Sequence, residues 1–589
     1  MASIHLLPFR RAEIEARAAN EKRFSDWPVV YVIDGGTRPQ KVYVGETNRV
    51  RQRMRQHLEG PKGGVGLESV RVVLDDRFNK SVCLDLEAHL IRWFHGDGQY
   101  DVLNGNDGLT DAQYYNRDLY RESFRDVFED LRREGLFSRS IPQIENSDLF
   151  KLSPFKALTD DQAIAIEDIV DGLLQDLSHP DRESTMVVQG NPGTGKTIVA
   201  IYLMKLLADI RDFDGPEDIE PESMFSEFFV PENRELLRNL RVALVIPQQS
   251  LRESVRKVFR KTPRLDPSMV MTPFQLAESS TDFDLVLVDE AHRLGQRANQ
   301  ASGVQNAKFR DINIALFGED AARHTQLDWI TARSKHRLLL VDGEQTVRPH
   351  DLSPSVLGEV VRAAKKTLRH YPLTTQMRVR AGANYVEFVR AILRGEDVAT
   401  PDLGDYDLRF FDDLAEMRAE IRKKNTEFGL SRLVAGYAWD WVSRRDPAAY
   451  DIEIDGERMR WNSTDKDWIN SRTSLEEVGS IHTVQGYDLN YAGVIIGPDL
   501  RIDASGRIVA DREAYRDKKG KENTGHLKDA FGDDDLLVFL RNIYGVLLTR
   551  GMLGTFIYVC DPALRQRLRR ILQPAHQGTF SRELPGLKQ

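Results

Sequence analysis

Cysteine is nearly missing from this chain. Cys83 and Cys560 are the only two among 589 residues, which excludes a disulfide scaffold or a four-thiolate zinc site and fits a reducing compartment. No apolar run approaches the roughly 20 residues a membrane span needs, so no membrane partner is expected. The opening stretch MASIHLLPFRRAEIEARAAN holds one very short apolar patch before charge sets in. A secretory signal is therefore not expected, and a cytoplasmic location is. Surplus positive charge is lacking too, the net charge being -9. That excludes a chain coated in basic surface, yet a local positive groove on an acidic protein still binds phosphates. Internal repeats and long low-complexity tracts are also absent.

What is present is length and alternation. A chain of this size exceeds one hydrophobic core and is expected to form three or four domains. Residues 1–110 make the first, with short strands and helices alternating from 27 and a Gly/Asn-rich closing turn, LNGNDG. Residues 111–154 are charged and irregularly helical and read as a linker. From 155 onward apolar strand runs alternate with amphipathic helices: TMVVQ (185–189), RVALVIP (241–247), DLVLVDE (284–290) and RLLLVDG (337–343). A second set follows in SRLVAGY (431–437), GVIIGP (493–498) and GTFIYVC (554–560). Such alternation predicts parallel sheets covered by helices, hence an α/β chain with domains at 155–365 and 366–589. Acidic 212–222 and hydrophilic 516–529 read as surface insertions.

The stretch VVQGNPGTGKTIVAIYLMKLL supplies a strand, a glycine-rich loop and an amphipathic helix. In the loop Gly190-Asn191-Pro192-Gly193-Thr194-Gly195 the glycines let backbone N–H groups turn inward around phosphate oxygens. Lys196 then reaches the β and γ phosphates and Thr197 ligates magnesium. A second strand, LVLVDEAH, delivers Asp289 and Glu290 at its C-terminal end, where open α/β sheets bind ligands. Asp289 is expected to hold the metal and Glu290 to polarise the attacking water.

Further along come LTDDQ (158–162), DGEQ (342–345), QMR (376–378), HTVQGYD (482–488) and LLTRG (547–551). Their order and spacing resemble superfamily 1 helicases over about residues 155–560, with two RecA-like domains. The resemblance makes Gln162 an adenine reader, favouring ATP, and Gln345 a sensor of the γ-phosphate. It makes Arg378 and Arg550 second-domain fingers that stabilise charge on the transferring phosphoryl group. Thr483, Gln485, Gly486 and Asp488 would link nucleotide state to a nucleic-acid track. The tetrapeptide DEAH suggests superfamily 2, but DGEQ, QMR and LLTRG decide against it. SRLVAGYAWDW and IHTVQGYDLNYAGVIIGPDL are similar to the Schlafen-type helicase-like domain of prokaryotes, which implies an ATP-driven motor or switch.

One stretch answers to another chemistry. In KVYVGETNRVRQRMRQHL (41–58) a β-branched and aromatic run stands directly before a helix crowded with arginine, which folding does not require. Tyr31 lies on a preceding strand, PVVYVID; Tyr43 and Gly45 on the next; Arg53 and His57, four apart, share a helical face. Glu87 follows in SVCLDLEAHLIRWF and Asn104 in the turn. This set resembles the GIY-YIG endonuclease family over about residues 27–110, with Val30-Tyr31-Val32 in place of its first motif. The resemblance implies phosphodiester cleavage, with Arg53 and a Mg2+ or Mn2+ ion on Glu87 facing the non-bridging oxygens. The tyrosines would orient and deprotonate water if metal and Arg53 depress a phenol pKa ordinarily near 10. His57 is an alternative base, and Arg49, Arg51 and Arg55 would track neighbouring phosphates. The expected partner is nucleic acid, DNA ahead of RNA, in anti-phage defence, restriction or repair, with a homo-oligomer or defence-system proteins as further partners. The alternatives are a module that binds without cutting, or a helicase with a DNA-anchoring domain.

Overall fold

The structure, a computed structural model, describes residues 2–36, 40–60, 66–104, 114–145, 147–154, 158–213, 225–297, 302–342, 350–377, 379, 381–464, 468–484, 488–521 and 532–572. It divides into two compact units, Met1–Gly343 with His350–Thr375, and Glu344–Pro349 with Gln376–Gln589.

The first unit opens with a five-stranded sheet in the order β1-β4-β2-β3-β5. Its elements are β1 (Ser3–Pro8), α1 (Arg11–Asn20), β2 (Val29–Gly35), β3 (Lys41–Thr47), α2 (Val50–Glu59), β4 (Ser69–Leu74), α3 (Lys80–Asp97) and β5 (Asp101–Val102). The β2–β3 and β2–β4 ladders are antiparallel, and their valines alternate between two cores. Val30, Val32, Val42 and Val44 face α3, while Tyr31, Ile33 and Tyr43 face α2 through Val50 and Met54. Strand β1, paired antiparallel to β4, went unread in the sequence because SIHLLP is short and flanked by charge.

Residues 111–154 are not a bare linker. Helix α4 (Arg117–Arg133) buries Phe124, Val127, Phe128 and Leu131 in the same core as Trp93 and Phe94 of α3. Burial of each such side chain contributes about 1.5–3 kcal/mol. The 3/4 spacing of these residues was masked by the dense charge on the outer face. Asp85 of α3, 2 % exposed, cements the contact by accepting from Tyr114 Oη (2.9 Å) and Arg117 Nε (3.3 Å). Burial acts to raise its pKa, but His89, Arg117 and Tyr114 hold the carboxyl well below the usual range. Next come α5 (Ile141–Glu145), α6 (Asp148–Lys151) and α7 (Asp160–Leu177).

The second part of this unit is a six-stranded parallel sheet ordered β11-β6-β10-β9-β7-β8. It holds β6 (Ser184–Gly190), α8 (Lys196–Arg211), α9 (Pro231–Leu237), β7 (Val242–Val245), α10 (Gln249–Lys261), β8 (Val270–Met271), β9 (Phe283–Val288), β10 (Ser334–Val341) and β11 (His370–Leu373). The central strands are buried on both faces, which is why they read as continuous apolar runs. Because β11 joins β6, this sheet extends past residue 365, where the sequence had divided the chain. The N-terminal module is bound to it by Ser254 Oγ donating to Asp148 (2.6 Å) and by a Lys261–Asp101 ion pair (2.8 Å).

The second unit is a seven-stranded sheet, β12-β20-β17-β13-β16-β15-β14, parallel except for the terminal β14–β15 hairpin. The strands are β12 (Asp407–Phe410), β13 (Ser431–Ala435), β14 (Ile452–Ile454), β15 (Glu457–Trp461), β16 (Glu477–Ser480), β17 (Leu489–Ile496) and β20 (Gly551–Val559). A small pair, β18 (Leu500–Ile502) and β19 (Ile508–Ala510), stands apart. The chain is thus α/β with two RecA-like parallel sheets, as its alternation predicts. Among the described residues no helix is long and apolar enough to cross a membrane.

Candidate functional site

The phosphate loop joins β6 to α8. Gly193 and Gly195 have φ of 86° and 78°, the left-handed region that glycine enters without steric cost. A Cβ at Gly190 would lie 2.4 Å from Thr194 Oγ1. Lys196 is 6 % exposed. Its Nζ donates to Gly190 O (2.8 Å) and Asn191 O (3.1 Å) and lies 3.4 Å from Asp342 Oδ2. Thr197 Oγ1 donates to Asp289 Oδ2 at 2.7 Å, so the loop and the end of β9 already touch across the sheet.

Asp289 and His292 are fully buried. The Asp342 amide donates to His292 Nδ1 (3.3 Å), and His292 Nε2 stands 3.0 Å from Glu290 Oε2. Glu290 itself has φ 52°. Burial and the adjacent Glu290 charge push the Asp289 carboxyl above the usual carboxylate range, against the Thr197 hydroxyl and Lys196. For Glu290 burial is outweighed by His292 and Arg293, which hold it ionised below the usual range. The pocket is therefore short of positive charge beside two hard oxygens, Thr197 Oγ1 and Asp289 Oδ2, and magnesium fits that donor set. Among the described residues no three His, Cys, Asp or Glu side chains gather as a metal site, so phosphate and water would complete its shell.

Gln162 is fully buried, its Nε2 donating to Thr194 O (2.8 Å) and its Oε1 accepting from Thr159 N (3.1 Å). The expected base reader is thus wired to the phosphate loop. In the second unit Arg550 is 3 % exposed, its Nη1 4.0 Å from Asp488 Oδ1. Thr483 is buried and shares a hydrogen bond with Ser480 Oγ (3.0 Å). Gln345, Arg378, Gln485 and Gly486 lie outside the described residues. His292 and Asp342 were missed as site residues, although both stand within motifs quoted from the sequence.

The N-terminal module gathers a second set. Tyr31 on β2 stands directly opposite Gly45 on β3, and a Cβ at Gly45 would lie 2.2 Å from Tyr31 Oη. That close approach is why glycine follows Tyr43-Val44. Gly45→Ala is expected to cost about 1–3 kcal/mol by overpacking, seen as a lower denaturation midpoint. Tyr31 Oη is 2.8 Å from His57 Nε2 and accepts from Arg53 Nε at 3.3 Å. The Tyr43 ring centroid lies 4.9 Å from that of His57. Arg53 is a donor only, so Tyr31 Oη keeps its own proton available for His57 Nε2 whenever that nitrogen is unprotonated. Burial first, then Tyr43, raise the Tyr31 pKa well above 10, and Arg53 fails to reverse it. Arg53 does pull this phenol down, but burial outweighs it, the ring being completely buried.

Glu87 lies on α3, and its charge contributes to the field at Tyr31. As a single carboxylate it would leave most of a metal's shell to water and phosphate, a manner of binding magnesium accepts. Asn104 is a clip rather than a member of the cluster: it accepts from Val44 N (3.1 Å) and donates to Val44 O (2.8 Å), fixing β3 beside Gly45. Next to the cluster opens a groove of about 470 Å³ lined by Glu46, Arg49, Gln52, Arg53, Gln56 and Lys80.

A phosphate loop, an acidic strand end and two RecA-like sheets define a helicase-like, nucleic-acid-processing ATPase, a class that binds ATP with magnesium. More particularly, residues 183–561 match the family described as Schlafen group 3, DNA/RNA helicase domain, and the chain belongs to it. The match begins after the N-terminal module. An uncharacterized protein of Saccharomyces cerevisiae is 27% identical over 426 residues, covering 67% of this chain and 85% of the yeast protein. Among solved structures, the arterivirus nonstructural protein 10 helicase with DNA is 12% identical with a TM-score of 0.27, over 66% of this chain and 62% of the viral one. The Bacteroides Pif1 helicase with ADP-AlF3 and single-stranded DNA is 10% identical with a TM-score of 0.24, over 70% of this chain and 94% of Pif1.

Proposed function

We propose that this ATPase acts on nucleic acid, DNA ahead of RNA, and that its N-terminal module cleaves phosphodiester bonds. The observation that carries the cleavage reading is the Tyr31–His57–Arg53 cluster at the edge of an arginine-lined groove. In this reading Arg53, Arg49 and Lys80 hold the backbone. Tyr31 takes a proton from the attacking water while releasing its own to His57 Nε2, so the buried phenol never carries a lasting charge. Tyr43 orients the same water. Glu87 would hold a divalent ion, which when bound would supply positive charge at the phosphate's non-bridging oxygens.

At the other site Lys196 neutralises the β and γ phosphates, Thr197 and Asp289 hold magnesium, and Gln162 reads adenine. Glu290, kept ionised by His292, orients water. Gln345 senses the γ-phosphate, Arg378 and Arg550 stabilise the transferring group, and Gly486 belongs to the segment that relays its state. Glu290→Gln is expected to retain ATP while its single-turnover hydrolysis falls about 10²–10⁴-fold.

The complete burial of Tyr31 favours a second reading, a module that binds nucleic acid without cutting it. Purified chain on plasmid, single-stranded and branched DNA and on RNA, with and without ATP and magnesium, decides between them. Magnesium-dependent products lost in Glu87→Ala support cleavage; binding with no product under any condition defeats it.

A further inference from the structure

Asp161 has no assigned role, yet it joins two parts of the ATPase that the chain itself keeps far apart. It stands at the start of α7, next to Gln162. Its Oδ2 accepts from the backbone amides of Thr374 (2.7 Å) and Thr375 (2.9 Å), with Thr374 Oγ1 at 3.4 Å. Its other oxygen accepts from Thr159 Oγ1. Two successive N–H groups on one carboxylate oxygen make charge-assisted bonds, the stronger kind. They also satisfy donors of a segment that has just left the β-ladder. Burial acts to raise the Asp161 pKa, but Thr159 and the two amides pull it below the ordinary value, so the acceptor stays charged at neutral pH.

The residues held this way occupy a particular place. Leu373, just before them, pairs with Gly190, the first residue of the phosphate loop. A Cβ at Gly190 would lie 3.1 Å from both Leu373 Cβ and Leu373 O. The far side of the same loop is held by Gln162 through Thr194 O. Thr375 is the last residue of the first unit, and Gln376 begins the next stretch of the second. One helical start, Asp161-Gln162, therefore grips the phosphate loop with one side chain and the exit of β11 with its neighbour.

We propose that Asp161 is a positioning residue of the ATPase, fixing Thr374–Thr375 against the phosphate loop so that occupancy of the loop is registered where the chain leaves the first unit. A carboxylate is suited to this, because it accepts two amides at once without competing as a donor. The nucleotide itself is held by Gln162, Lys196 and Thr197, so losing Asp161 impairs turnover and leaves binding intact.

This rests on the ATPase reading, and a Lys196→Ala control separates the two. Full-length chain whose ATP hydrolysis is indifferent to Lys196→Ala defeats the ATPase reading itself. With Lys196-dependent turnover in hand, Asp161→Leu, close in shape and blind to amides, is expected to lower kcat roughly tenfold with nucleotide Kd changed less than about threefold. Asp161→Asn, whose Oδ1 still accepts both amides, is expected to restore most of kcat. Amide exchange gives a readout independent of catalysis: Thr374 and Thr375 exchange faster in Asp161→Leu, and in Asp161→Asn they stay protected. The proposal falls if kcat is unchanged in folded Asp161→Leu, if Kd rises in step with the loss as in Gln162→Ala, or if the two amides exchange equally in all variants.

Discussion

Lys196→Ala is expected to abolish ATP hydrolysis, with a fall in kcat of at least about 10²-fold. The lysine is 6 % exposed and bonded to the carbonyls of Gly190 and Asn191. Its ammonium sits among Asp289, Glu290 and Asp342, where buried charge is strongly felt. Without it the phosphate loop loses its buried cation, and Asp342, 2 % exposed, loses its counter-charge. A reduced thermal midpoint should therefore accompany the lost activity, and added nucleotide with magnesium should raise that midpoint less than in the parent chain. Lys196→Arg is not expected to rescue, because a planar fork does not reproduce a point charge seated between two carbonyl oxygens. Steady-state phosphate release alongside a thermal scan of each variant measures both effects. Undiminished hydrolysis in Lys196→Ala would remove this loop from the reaction.

Arg53→Ala is the second large expectation: loss of cleavage by at least about 10²-fold in single turnover, with nucleic-acid affinity in EDTA falling less than about tenfold. The asymmetry follows from the groove. Arg49 and Lys80 line it and remain to hold the backbone, whereas Arg53 alone donates to the Tyr31 oxygen among the arginines of α2 in the described contacts. Burial works against its charge, and the Tyr31 and Tyr43 hydroxyls raise its pKa nonetheless, so it stays a cation at every working pH. Tyr31, with its pKa raised well above 10, stays protonated over the same range. The pH profile should therefore show no alkaline rise from a tyrosinate. Tyr31→Phe should be inactive at both ends. A rate that keeps climbing through alkaline pH would mean that the phenolate, and not the proton transfer to His57, does the work.

These expectations draw unequally on the sequence. The seven apolar runs quoted from it all became strands, because a strand in a parallel sheet is buried on both faces and needs an unbroken apolar run. The phosphate loop was equally plain: positive φ at Gly193 and Gly195 is a local demand that only glycine meets cheaply. Arg53 and His57 were legible as neighbours from their spacing. Their convergence on Tyr31 came only as an implication of the family resemblance, since Tyr31 lies on a strand whose place is set by pairing with β3 and β4. The raising of this phenol's pKa by burial was not legible for the same reason: burial belongs to the assembled module and leaves no mark on the residues around Tyr31. Helix α4 was legible as helix but not as core, because the dense charge on its outer face hides the spacing of Phe124, Val127, Phe128 and Leu131.

The sequence by itself determined the seven apolar runs that become central strands, where the phosphate loop lies, and which side chains are candidates for the chemistry. Each of these is a property of a few consecutive residues, through alternation, glycine φ or helical spacing. Only the tertiary structure decided that residues 370–373 complete the first parallel sheet, that α4 belongs to the N-terminal core, and that Asp161 holds Thr374 and Thr375 from across the chain. Those choices are made by burial and hydrogen-bond satisfaction between segments distant in sequence, and no local pattern encodes which distant surface will meet them.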